Sequence, residues 1–262
     1  MSAVVTHFMK LHHKSKLFML INVWDAASLV LAQENGADAV ATSSAALGWS
    51  LGYADGSALP VDELLAAVQR LLRISKVPLS VDIEQGYSNN PQHVAILVKQ
   101  LADMGIAGIN LEDGNNSPEL LAEKIKACRQ LLGEKPLFIN ARTDVYLEHI
   151  YSSHTVTNEC INRLKLFQEA GASGVFIPGL HDLKVVKEVH QQLSLPINLM
   201  GWPLSVTTHD LTNAGVTRIS SGPGLFLECY SHYQQACSNF LKTKISDDDA
   251  LLDYAGMNKL FS

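Results

Sequence analysis

Ser80–Tyr87 reads SVDIEQGY: a short apolar run that ends in carboxylates and leads into a helical pattern. Its polar residues Ser80, Asp82 and Glu84 stand two apart, with Leu79, Val81 and Ile83 at the alternate positions. Successive strand side chains point to opposite faces, so the polar set projects one way and the apolar set the other. The pattern recurs in Asn110–Asp113 (NLED) and Asn140–Asp144 (NARTD). There Asn110 and Glu112, and then Asn140, Arg142 and Asp144, oppose Ile109, Leu111, Ile139 and Ala141. Each stretch reads as a buried parallel strand whose polar tip joins a common rim, and each is followed by a helix.

The alternation extends along the chain. Strands are predicted at Phe18–Asn22, Ala37–Thr42, Leu79–Ile83, Gly108–Leu111, Leu137–Ala141, Gly174–Ile177, Ile197–Met200 and Thr217–Ser220. Helical patterns lie between them, at about Ala26–Asn35, Val61–Ile74, Pro91–Met104, Pro118–Leu132, Asn158–Ala170, Asp182–Gln192 and Leu204–Ala214. Asn35-Gly36, Met104-Gly105, Ala170-Gly171 and Ala214-Gly215 read as helix C-caps, and Pro78, Pro136 and Pro196 punctuate strand starts. Eight β-then-α units predict an α/β fold of the (β/α)8 TIM-barrel type. An open doubly wound sheet would carry a glycine-rich loop after its first strand, where Asn22-Val23-Trp24-Asp25 offers none.

The 262 residues are expected to form a single barrel domain, with 226–262 as a C-terminal helical extension broken near 246–249. The surplus helix would decorate the surface or pack on, even swap into, a partner subunit of a homo-oligomer. A net charge of −6 with dispersed Lys and Arg argues against a nucleic-acid partner. Phe18–Ile21 is too short to span a membrane. The four cysteines form no CxxC pair and read as reduced structural thiols of a cytoplasmic protein.

Barrel active sites lie at the C-terminal strand ends. Those ends carry Asn22, Thr42-Ser43-Ser44, Asp82 with Glu84, Glu112 with Asp113, Arg142, Asn198 and Ser220-Ser221. Asp82, Glu84 and Glu112 repel one another unless a cation or proton holds them together. Oxygen-only donors suit Mg²⁺ or Mn²⁺, with one direct carboxylate and others acting through water. A salt-bridge network around Arg142 would account for Asp82 and Glu84 but leave Glu112 in need of another partner. His12-His13, beside Lys10 and Lys14, reads as a solvated face or, less simply, an anion patch. Ser220–Gly224 reads as a tight turn or a phosphate loop, which would make the chain a sugar-phosphate enzyme. Trp49 and Tyr53 read as core packing or a lid.

Five segments in register, Asn22–Ser28, Thr42–Asp55, Val81–Tyr87, Gly108–Asp113 and Asn140–Asp144, resemble the isocitrate lyase / phosphoenolpyruvate mutase superfamily. The likeness extends through Phe176–Gly179 and Arg218–Gly222, over most of the chain. It implies a Mg²⁺-dependent lyase-type enzyme acting on a small 2-oxo acid or dicarboxylate through an enolate. By position, Asp82 would bind the metal directly and Glu84 and Glu112 through water. Asp55, Arg142 and Glu112 would serve the chemistry, and Ser43, Ser44, Ala45, Arg142 and Asn198 the substrate. Two departures stand out. Lyases of this family carry a Lys-Lys-Cys-Gly-His loop where this chain reads Gly114-Asn115-Asn116-Ser117-Pro118, and mutases carry a tryptophan where it has Ala41. The resemblance therefore leaves open a lyase, decarboxylase or hydrolase cleaving at C3, a phosphoenolpyruvate-mutase-type enzyme, and a non-catalytic 2-oxo-acid-binding protein.

Overall fold

A computed structural model describes residues 3–13, 16–56, 58–147, 155–203, 205–242 and 254–261. Eight parallel strands close into a barrel in chain order, the topology expected from the alternating pattern. They are β1 (Phe18–Val23), β2 (Val40–Thr42), β3 (Leu79–Asp82), β4 (Gly108–Glu112), β5 (Phe138–Arg142), β6 (Gly174–Phe176), β7 (Ile197–Met200) and β8 (Val216–Ser220). Register is continuous across the chemistry-bearing strands: Asp82 pairs with Asn110, Asn110 with Asn140, and Glu112 with Arg142.

The outward strand residues Val81, Ile109, Leu111, Ile139 and Val175 are buried against a ring of helices. α5 (Pro91–Met104) shows how the ring is specified. Asn90 caps it through a hydrogen bond from Gln92 N, Pro91 fills its first turn, and Gly105 ends it at φ 102°, a left-handed stop. Its buried stripe of Val94, Leu97, Val98 and Leu101 docks on the barrel, each residue contributing roughly 1.5–3 kcal/mol. α6 (Pro118–Leu132) and α7 (Val156–Ala170) repeat the scheme, with Ser117 capping the first and Gly171 ending the second.

Two helices escaped the sequence pattern. α1 (Ala3–Leu11) closes the barrel floor, its Phe8 and Leu11 packing with Phe18, Leu20 and Phe138. α3 (Ser44–Ser50) follows β2 directly and converts the serine segment into a short helix. α2 (Ala26–Glu34), α4 (Val61–Ile74), α8 (Leu183–Gln192), α9 (Thr208–Asn213), α10 (Gly224–Leu241) and α11 (Tyr254–Lys259) complete the elements. The break expected near 246–249 lies outside the described residues. The four cysteines are unpaired. No helix among the described residues is long and apolar enough to cross a membrane.

Candidate active site

Strand alternation delivers Asp82, Glu112 and Arg142 to the barrel mouth, and Glu84 joins them from the turn after β3. Asp82, Glu84 and Glu112 are 7%, 6% and 9% exposed, so three carboxylates sit together largely out of water. Asp82 is fixed on every side: its amide donates to Thr42 Oγ1 at 2.8 Å, Oδ1 accepts from Glu84 N at 3.1 Å, and Oδ2 accepts from Ser44 Oγ at 3.3 Å. Burial raises its pKa, partly offset by Arg142 and by the bonds from Glu84 and Ser44. Burial also raises Glu112 well above the usual carboxylate range; Arg142 opposes this, while Asp82, Asp144 and Glu84 add to it.

Arg142 is the cation of the site, but its partners differ from the expected ones. Nη1 lies 3.0 Å from Glu112 Oε2, and Asp144 holds the guanidinium two-pronged, through Nε at 2.6 Å and Nη2 at 2.9 Å. The Arg142 network thus takes Glu112 and Asp144, and reaches no ion-pair contact with Asp82 or Glu84 among the described residues. Phe176 lies beneath the guanidinium, 5.6 Å from its Cζ. Burial works against the charge, and the two carboxylates more than restore it.

The serine segment divides its labour. Ser43 Oγ caps α3 by accepting from Ala46 N, so its hydroxyl is occupied, whereas Ser44 reaches Asp82. The Ser44 amide also faces Asp82, while that of Ala45 has no partner within the helix, as at any helix start. Asn198, 2% exposed, donates to Ser220 Oγ at 3.4 Å, and its buried Oδ1 accepts no hydrogen bond. Asp55 is exposed, yet near enough for its charge to act on Asp82 and Tyr87.

Several expectations need correction. His12 is 3% exposed and stacks on Phe138 at 4.1 Å, so it belongs to the barrel floor rather than a solvated face or anion patch; Lys14 lies outside the described residues. The amides after β8 are already spent: Ser221 N donates to Leu20 O, Gly222 N to Asn22 Oδ1 and Gly224 N to Ser221 O. That is a tight turn whose own amides at Ser221, Gly222 and Gly224 are held within the protein. Trp49 packs against Phe226 of α10, 5.5 Å between ring centroids, and Tyr53 packs on the core, the packing role expected as one of the two readings.

Sequence reasoning gave no role to Asp144 on the guanidinium or to the Asp113–Arg163 pair. Asp113 accepts from Arg163 Nη1 at 2.9 Å, Thr143 Oγ1 at 2.7 Å and Asp144 N at 3.0 Å, locking the segment that bears Arg142. A signal for Asp144 existed in the two-residue spacing of NARTD. None existed for Arg163, which arrives from α7.

Among the described residues no group of three His, Cys, Asp or Glu side chains already closes around a metal position. The donors nevertheless fit a hard divalent ion. All are oxygens, burial disfavours the charge of Asp82 and Glu112, and Glu112 Oε2, though ion-paired with Arg142, is buried without a well-formed hydrogen bond. A Mg²⁺-type ion that keeps most of its waters needs a single direct carboxylate, not a preformed cage.

Comparisons with known proteins agree with this architecture. The family model for phosphoenolpyruvate phosphomutase matches residues 8–241. An uncharacterised Mycobacterium tuberculosis protein is 35% identical over 219 residues, covering 82% of this chain and 81% of its own. Oxaloacetate decarboxylase 2 of Pseudomonas fluorescens is 28% identical over 221 residues, covering 79% of this chain and 73% of its own. A crystal structure of a provisionally assigned phosphonomutase from Burkholderia cenocepacia superposes with a TM-score of 0.84 at 30% identity, over 90% of this chain and 99% of that one. With the barrel, the mouth carboxylates and these likenesses in place, the chain belongs to the phosphoenolpyruvate phosphomutase family.

Proposed function

We propose that the protein is a divalent-metal-dependent enzyme that cleaves a bond at C3 of a small 2-oxo acid of the oxaloacetate type, through an enolate. The observation that carries this reading is Arg142, held rigidly by Glu112 and Asp144 beside Asp82. A guanidinium locked before substrate arrives stabilises charge developing on an enolate oxygen without reorganising, and such donors contribute about 2.7–4 kcal/mol. Ser44, with the first-turn amides of α3, receives the substrate carboxylate; Asn198 contacts its far end and Asp55 handles the proton. Bound Mg²⁺, or Mn²⁺, held directly by Asp82 and through water by Glu84 and Glu112, would polarise the keto oxygen. The likeness to an oxaloacetate decarboxylase supports the choice of substrate class. The unpaired cysteines fit a reducing cytoplasm, and the exposed apolar face of α10 fits a homo-oligomer.

The test is NMR of the protein with Mg²⁺ and a mixture of C3-substituted 2-oxo acids. One signal should disappear, EDTA should stop its loss and added Mg²⁺ should restore it. Turnover that survives chelation would sink the metal-enolate scheme. One observation favours a second reading, a 2-oxo-acid-binding protein without catalysis. The connection between β4 and α6 is only residues 113–117, with no Cys, His or Lys in it. Saturable oxalate or pyruvate binding by calorimetry, with no turnover across the panel, would support that alternative.

A further inference from the structure

The backbone that carries Glu84 is contorted. Glu84 lies at φ 50° and Tyr87 at φ 59°, the two non-glycine residues with positive φ among those described. Side chains with a Cβ resist this region, so the surroundings must hold it, and such strain gathers at functional sites. Two carbonyls of the turn are met by backbone: Glu112 N donates to Glu84 O and Gly86 N to Ile83 O. The next carbonyl, Gln85 O, accepts instead from Lys124 Nζ at 2.7 Å.

Lys124 comes from α6 and is 1% exposed, with no carboxylate in ion-pair distance among the described residues. A buried ammonium is a costly way to dock a helix, where an aliphatic side chain would serve better. Its one hydrogen bond is therefore what the position is built for. The Gln85 side chain continues the brace. Its Oε1 accepts from Asn116 Nδ2 at 2.7 Å, and it lies so close over Gly114 that a Cβ there would fall 2.2 Å from Nε2. The turn after β3 is thereby tied to the connection after β4.

We propose that Lys124 is a positioning residue for Glu84: by clamping Gln85 O it holds the left-handed turn that keeps the Glu84 carboxylate beside Asp82 and Glu112. The inference rests on the reading of Glu84 as a water-mediated metal holder. It makes the short connection after β4 a fixed strut of the site.

The test compares wild type, Lys124→Met and Lys124→Arg by crystallography and by Mg²⁺ calorimetry on the full chain. In Lys124→Met, Glu84 should leave positive φ, and Mg²⁺ affinity should fall about 10–100-fold, the range for outer-shell partners of a metal site. Lys124→Arg should recover most of both. If Lys124→Met does not fold, Asn116→Ala loosens the same brace and should weaken Mg²⁺ binding in the same direction. Glu84 unmoved, or moved with Mg²⁺ affinity unchanged, overturns the proposal. Asp82→Ala separates the two claims. If wild type and Asp82→Ala alike take up no Mg²⁺, the metal reading fails, and the position of Glu84 in Lys124→Met alone decides the brace.

Discussion

Arg218 Nη1 and His12 Nε2 meet 3.2 Å apart in the closed floor of the barrel, where Arg218 is 1% exposed. His12 Nδ1 also lies 2.9 Å from Phe8 O, so the ring donates there and accepts from the guanidinium, which requires neutral imidazole. Burial, then the charge of Arg218, lowers the histidine from 6.5 to about 3. The unfolded chain therefore binds a proton below pH 6.5 that the folded chain refuses, and this stability is lost as pH falls toward 3. At about 1.4 kcal/mol per pH unit, wild type should lose roughly 2 kcal/mol between pH 6.5 and 5 through this group. Urea unfolding of wild type and His12→Gln across that range should show their stability difference shifting by this amount in favour of the variant. A pH-independent difference would contradict the assignment.

Arg142→Lys tests whether the guanidinium fork matters or only its charge. An ammonium cannot grip Asp144 two-pronged while also reaching Glu112. We expect kcat to drop about 10²–10³-fold with a much smaller change in Mg²⁺ affinity. Equal losses in kcat and in metal affinity would mean that Arg142 organises the carboxylates rather than the reacting oxygen.

Asn22 ties the β8 turn to β2. Its Oδ1 accepts from Gly222 N at 2.8 Å and Ser221 Oγ at 3.3 Å, and its Nδ2 donates to Thr42 O at 2.8 Å. Asn22→Ala should destabilise the fold by about 1–3 kcal/mol, measured by chemical denaturation. Wild type should show no saturable binding of inorganic phosphate. Phosphate protection of wild type that vanishes in Asn22→Ala would restore the phosphate-loop reading.

What could be read from sequence was whatever a local period fixes. Two-residue spacing put Asp82, Glu112 and Arg142 on one rim, because strand alternation depends on nothing distant, whereas Glu84 reaches it from a left-handed turn beyond the end of β3. It could not choose partners, since Glu112 and Asp144 both lie within reach of the guanidinium and only the register Glu112↔Arg142 selects the first. His12 sits between Leu11 and His13 in a polar stretch, and its burial depends on Arg218, 206 residues away. The use of Asn22 depends likewise on Gly222, 200 residues on. α3 was hidden because seven residues containing Gly48 and Trp49 are too few to establish a helical period.

α10 carries an apolar stripe that, among the described residues, is covered only at one end. Phe226 is buried against Trp24 and Trp49. Tyr230, Tyr233, Cys237 and Phe240 follow at three- and four-residue spacing, on one face of the helix. Tyr233, Phe240 and Leu241 are 65%, 70% and 81% exposed. A contiguous apolar face of this kind marks an interaction surface, and a second copy of the chain covering it about a two-fold axis would bury the stripe on both molecules at once. Sedimentation velocity should therefore find a dimer or larger assembly. Tyr233→Glu, which places a charge in the middle of the stripe, should dissociate it while the circular dichroism of the barrel stays unchanged. A wild-type monomer at micromolar concentration, or an assembly indifferent to Tyr233→Glu, would remove α10 from the interface.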